Sequence, residues 1–191
     1  MRERVFTRGF TALLVTQFLG AANDNLLKQV IALQLVGGIW QNALGKGGQG
    51  VVTVIFTLPF LLFSGWSGQL ADRISKQKLT RGVKAAEIGI ALTALLALWF
   101  GNLPAAVFSL LLLALQSAIF GPAKYGMIPE LLKKGALSRA NGSINMLTNI
   151  AIITGAFLGG VLSDMYPGRD LLPGLMILGL AVIGYAASAF L

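Results

Sequence analysis

The sequence predicts an all-α polytopic membrane protein, and three observations carry that prediction. Hydrophobic residues make up 55% of the 191 residues, with 24 glycines besides. Roughly two thirds of the chain is therefore apolar, against ~45–50% in soluble domains. Only 12% of the residues are charged, about half the usual share, and the mean hydropathy is +0.77. A soluble domain of this length lacks the polar surface to cover such a core. Finally, the apolar residues fall into six stretches near the ~20 residues that a helix needs to cross a bilayer.

Those stretches lie near 10–36, 51–70, 85–101, 104–123, 143–163 and 172–191. The first ends at Gly37 and Gly38, and a glycine-rich loop with Gly45, Gly47, Gly48 and Gly50 leads into the second. A basic segment with Arg73, Lys76, Lys78, Arg81 and Lys84 separates the second from the third. Asn102 and Pro104 break the third from the fourth, and Pro122 is expected to kink or end the fourth. Lys124, Lys133, Lys134 and Arg139 precede the fifth, and Pro167, Gly168, Pro173 and Gly174 set off the sixth. With Arg2, Arg4 and Arg8 at the start, twelve cations fall on one side, against Lys46 and Arg169 on the other. The positive-inside rule puts the twelve, and with them both termini, in the cytoplasm. The net charge of +8 thus reads as topology and not as a nucleic-acid footprint.

No cleavable signal peptide is expected. The first apolar stretch is too long for an h-region, and no small-residue cleavage site follows it. Zero cysteine and zero histidine remove thiolate catalysis, Ser-His triads and the usual zinc sites. No enzyme activity, cofactor or metal is expected. Ala187 to Leu191 are still apolar with no basic residue after them. Residues 1–191 therefore read as one six-helix unit, the N-terminal half of something larger.

Ionisable residues inside membrane helices are costly and are usually functional or paired. In the first span, Gln17, Gly20, Asp24 and Lys28 fall within about 80° of arc at 100° per residue. Asn23 and Asn25 flank the acid. This polar stripe reads either as an Asp24–Lys28 pair within one helix or as the wall of a polar cavity facing a charged or zwitterionic solute. The fifth span carries a second stripe of Asn141, Asn145 and Thr148, with Asn149 beside it, as cavity wall or as interhelical hydrogen bonding. Lys124 reads as a cytoplasmic snorkelling lysine. Gly155, Gly159 and Gly160 form a small-xxx-small pattern that predicts close helix packing.

The second loop, Gly68-Gln69-Leu70-Ala71-Asp72-Arg73-Ile74-Ser75-Lys76-Gln77-Lys78, resembles the signature between helices 2 and 3 of the major facilitator superfamily, G-x-L-A-D-R-x-G-R-K. It departs from it at Ser75 and Gln77. In that superfamily the acid helps latch two six-helix halves, which makes Gly68, Asp72 and Arg73 a gating motif by resemblance. Two further segments resemble a closer family. TQFLGAANDNLLKQ from Thr16 and FGPAKYGMIPE from Phe120 are similar to helices 1 and 4 of the bacterial lysophospholipid transporters. That resemblance implies an inner-membrane flippase moving lysophosphatidylethanolamine-type lipids inward, for reacylation by a cytoplasmic acyltransferase. It implies a lysophospholipid substrate and a C-terminal six-helix half as partner, and a lipid headgroup contact at Asp24 and Lys124. Asn23, Asn145, Asn149, Gln17 and Lys28 complete the expected substrate-binding set. Two alternatives stay open. One is a proton-coupled antiporter on the same fold, although Leu113 and Ser117 depart from its fourth-helix R-x-x-Q-G pattern around Gln116 and Ala156 from its fifth-helix pattern. The other is a non-transporting platform whose basic face holds anionic membrane lipid or an acyltransferase.

Overall fold

The computed structural model describes residues 5–41, 43–165 and 171–191, so that Arg2, Arg4, Pro167, Gly168 and Arg169 lie outside the described residues. Among the described residues the chain forms six long helices: α1 (Arg8–Gly37), α2 (Gly48–Arg73), α3 (Lys76–Trp99), α4 (Leu103–Leu131), α5 (Leu137–Met165) and α6 (Leu171–Ser188). Local chemistry marks their starts. The Thr7 hydroxyl accepts from the Phe10 amide at 3.3 Å, and Asn102 Oδ1 accepts from the Ala105 amide at 3.0 Å. Both satisfy donors that an uncapped helix would leave orphaned. Pro104 sits in the first turn of α4, where its missing N–H costs nothing.

Five of these helices, α2 to α6, are long and apolar enough to cross a membrane. The chain is a multi-pass membrane protein. The helix left out is α1, whose 30 residues span about 45 Å but carry the polar run from Gln17 to Gln29. Its polarity is compensated by enclosure: Gln17, Asn23, Asp24, Asn25 and Gln34 are all buried. Two boundaries differ from the sequence expectation. Helix α3 begins at Lys76, so Lys76, Lys78, Arg81 and Lys84 are helical residues and not loop charges. Helix α4 runs through Pro122 and Pro129 to Leu131. A proline removes one hydrogen bond in a membrane helix without ending it, because neighbours and local adjustment re-satisfy the freed carbonyl.

Helix α1 packs against α2, α4, α5 and α6, and α4 packs against α1, α2, α3 and α5. The remaining contacts are α3 with α6, and lighter ones of α5 with α6 and α2 with α3. This set of partners is unchanged when each helix is exchanged for the one three places along. The α1–α5 contact is close because of the small residues on α5. A Cβ at Gly155 would run into the backbone of Ala22, and one at Gly159 would stand 3.1 Å from the Leu26 carbonyl oxygen. The expected small-residue packing is thus present, and it is aimed at α1.

Buried apolar residues form two clusters. One holds Leu26, Leu27, Val30 and Ile31 of α1, Ala91, Ala94 and Leu98 of α3, and Ala106, Leu110 and Leu113 of α4. The other holds Phe10, Leu13 and Leu14 of α1, Val83 of α3, and Phe120, Met127 and Ile128 of α4. On all three helices the stretch between the clusters carries polar residues among small and apolar ones: Gln17 and Asn23 to Asn25, Lys84 and Glu87, Gln116 and Ser117. The bundle therefore has a polar layer at mid-height between two apolar ones.

Basic residues at one end also cap a helix. Arg81 donates to the Ala189 carbonyl at 2.8 Å and to the Ser188 carbonyl at 3.4 Å, and Gln77 donates to the Leu191 carbonyl. The Arg8 guanidinium lies 5.1 Å from the centre of the Phe190 ring. Cations at a helix C-terminus satisfy its last carbonyls and complement its dipole, so these charges have a structural use beyond orientation.

Candidate functional site

A cavity of about 330 Å³ opens into the polar layer. Its polar wall contains Gln17, Asp24 and Lys28 of α1, Lys84 of α3, Ser117 and Lys124 of α4, and Thr148 of α5. Phe56 and Phe60 of α2, Phe120 of α4 and Ile152 of α5 make the apolar side. The four residues of the α1 stripe, Gln17, Gly20, Asp24 and Lys28, all face this space, as a helix with that spacing must present them. Gln17 Nε2 donates to Thr148 Oγ1 at 3.1 Å, tying α1 to α5 across the cavity.

Asp24 is 5% exposed. Its Oδ2 accepts a 2.6 Å hydrogen bond from the Ser117 hydroxyl, which in turn accepts from Gln116 Nε2 at 3.0 Å. Its Oδ1 has no hydrogen-bond partner among the described residues. Lys28 does not pair with Asp24. Its ammonium stands 5.0 Å from the centre of the Phe56 ring, a cation–π contact between α1 and α2. Of the two readings open for this stripe, the intrahelical pair is not formed, and the carboxylate is bonded on one side only. Lys84, Lys124 and Glu87 all act electrostatically on Asp24. Lys124 is half-buried, 5.0 Å from the ring centre of its neighbour Tyr125, and lines the cavity. The snorkelling position read from the sequence gives way to a cavity-wall position, because α4 continues past Pro122 and keeps Lys124 on the bundle's inner surface.

The remaining expected residues are placed differently. Asn23 is fully buried and donates to Glu87 Oε1 at 3.1 Å. Asn145 and Asn149 are exposed and do not line the cavity. Asn145 Oδ1 accepts from the Tyr125 hydroxyl at 2.8 Å, and Asn149 donates to the Asn145 carbonyl. Gly68, Asp72 and Arg73 lie at the end of α2, where Asp72 and Arg73 are exposed. Asp72 acts electrostatically on Lys76 at the start of α3, and Lys76 pairs with Glu130 of α4 at 2.8 Å. The motif thus sits where three helix ends meet.

The central ion pair was missed in the sequence. Lys84 and Glu87 are each 1% exposed, with Nζ 2.6 Å from Glu87 Oε2. Lys84 read as the last charge of a basic loop. Two signals were available: an acid three residues into the stretch assigned to the third span, and the i,i+3 spacing that puts the pair on one helix face.

Over 181 residues the chain is 33% identical to the lysophospholipid transporter LplT of Photorhabdus laumondii, covering 95% of this chain and 43% of that protein. It is 31% identical over 185 residues to the LplT of Cronobacter sakazakii, covering 96% and 42%. The chain is a relative of the lysophospholipid transporters. It spans about two fifths of the length of these relatives. The relatives are named as transporters and not as enzymes. No family model and no solved structure matches the chain.

Proposed function

We propose that this chain is the N-terminal six-helix bundle of a major-facilitator transporter that moves lysophospholipids of the lysophosphatidylethanolamine type inward across the bacterial inner membrane. All six helices span the bilayer in this reading, with both termini cytoplasmic. The partner exchange between helices three places apart supports the fold, since many transporters are built of internal repeats with the site at mid-membrane between them. The likeness to lysophospholipid transporters supports the solute class.

The observation that carries the proposal is the cavity itself. It joins an acid with an unpaired oxygen, a lysine from a different helix, and an aromatic wall. A lysolipid of this type has a headgroup with a cation and an anion, and one acyl chain, and these features match in kind. Asp24 takes the ammonium, Lys124 the phosphate, and Gln17 and Lys28 lie within the same wall. The chain then runs along Phe56, Phe60 and Ile152. At about 330 Å³ the cavity is at the small end for an organic ligand, ~300–1,000 Å³, as befits a headgroup alone. The latch at Asp72 and Arg73 meets the second bundle, and rocking of the two bundles carries the headgroup across. A cytoplasmic acyltransferase then restores the second chain.

Flipping of fluorescent lysophosphatidylethanolamine into sealed vesicles tests this, with the 191-residue chain alone and with a matching second bundle. Transport requires both. Asp24→Asn and Lys124→Ala each lower the rate about tenfold or more, the scale of one hydrogen bond to a charged group, with membrane insertion intact. Wild-type rates in both variants would reject the headgroup model.

A further inference from the structure

Glu87 is the hub of the polar layer, and nothing in the proposed headgroup site uses it. Its two oxygens receive three donors: Lys84 Nζ at 2.6 Å, Asn23 Nδ2 at 3.1 Å and Gln116 Nε2 at 3.5 Å. Each donor comes from a residue beside Asp24 or its partner. Asn23 precedes Asp24 in the chain, Gln116 precedes Ser117, and Lys84 acts electrostatically on Asp24. Asp24 meanwhile keeps Oδ1 unbonded among the described residues. A buried carboxylate oxygen beside a lysine ordinarily takes the ammonium, because the unpaired state is the costly one.

Lys84 is held in place from several sides. Its ammonium lies 5.4 Å from the centre of the Phe120 ring, and a Cβ at position 20 would overlap it. The missing side chain of Gly20 makes the notch in which the ammonium sits.

We propose that Glu87 is a positioning residue that holds Lys84, Asn23 and Gln116 off Asp24, and so leaves the Asp24 carboxylate at the cavity wall without an internal counter-ion, to meet a cationic group of the solute. It deepens the proposed headgroup site and rests on that reading for the identity of the cation. The availability of Asp24 does not rest on it. When the charge at position 87 is lost, Lys84 turns to Asp24 and neutralises the site from within. An ammonium-bearing headgroup then competes with a tethered ammonium, whereas a headgroup without an amine loses nothing at Asp24.

Two measurements test this on Glu87→Gln and on Glu87→Gln/Lys84→Met, in vesicles with the second bundle present. The double variant replaces a buried ion pair by neutral side chains, a change that is often tolerated, so it keeps the test decisive where the single variant folds poorly. The first measurement is independent of any substrate. A hydrophobic carbodiimide labels Asp24, read by mass spectrometry of the peptide. Labelling falls at least fivefold in Glu87→Gln and returns in the double variant. Equal labelling in the wild type and Glu87→Gln, or loss in a folded double variant, overturns the proposal. The second measurement compares lysophosphatidylethanolamine with lysophosphatidylglycerol. Glu87→Gln raises KM for the amine-bearing lipid about tenfold with little change for the other, and the double variant restores it. An equal loss for both lipids without rescue overturns the positioning role. Protection and rescue of Asp24 labelling with no lysolipid transport by the wild type would reject the lysolipid reading and leave the positioning role supported.

Discussion

At the scale of single residues, the polar layer is an arrangement of donors, and its parts differ in what they contribute. The Gln17–Thr148 bond at 3.1 Å joins α1 to α5 directly at the cavity wall. Such bonds contribute only ~0.6 kcal/mol on average, because the unfolded chain in the membrane also finds partners. A double-mutant cycle with Gln17→Leu and Thr148→Val, measured by denaturation in detergent, is expected to give a coupling near that figure. Glu87 differs in kind, since removing its charge strands a buried lysine. Asp24, Gln17 and Lys28 were legible in the sequence because three- and four-residue spacing is visible on one helix. The bond from Ser117 to Asp24 was not, because it joins residues 93 apart in the chain. Lys84 was hidden for a different reason: a lysine closing a run of cations looks like its neighbours until the start of α3 is known.

At the scale of helices, α1 is the element on which the others converge, and its contact with α5 depends on atoms that are absent. Gly155 faces the Ala22 backbone, which has no side-chain freedom with which to yield. Gly155→Leu is therefore expected to separate α1 from α5 and to lower the melting temperature in detergent by several degrees or more, the scale of overpacking by ~1–3 kcal/mol. Gly160→Ala, at a position where a Cβ meets nothing within 4 Å, is the control and leaves the melting temperature within about a degree. The small-residue pattern was plain in the sequence, but its partner was not, since the pattern says that a helix comes close and not which one. Helix ends were legible where Gly37, Gly38, Asn102 and Pro104 mark them. They were misread at Lys76 and Pro122, where charge and proline outweighed the continuing helix. Those two misreadings set Lys84 in a surface loop and gave Lys124 its snorkelling reading, whereas both lysines line the cavity.

At the scale of the molecule, the outer faces of the helices are apolar and the polar residues turn inward, the reverse of a soluble bundle. The three tryptophans report on this. Trp66 and Trp99 are 53% and 60% exposed, whereas Trp40 is 6% exposed and donates its ring N–H to the Gly101 carbonyl at 2.8 Å. Brominated-lipid quenching of single-tryptophan variants is expected to be strong for Trp66 and Trp99 and weak for Trp40. Equal quenching of all three would contradict the packing. The all-helical membrane class was legible from composition and spacing, because both depend on many residues at once. The cavity was legible only in part, since it forms where five helices meet, and no single stretch of sequence records how they meet.

One helix takes no part in that meeting: none of the residues lining the cavity comes from α6. The chain also contains no cysteine. Together these make the molecule a ready host for a spectroscopic reporter. A single thiol at Val182, on the exposed side of α6, would carry all of the attached dye or spin label, at a distance from the charges whose rearrangement it is meant to register.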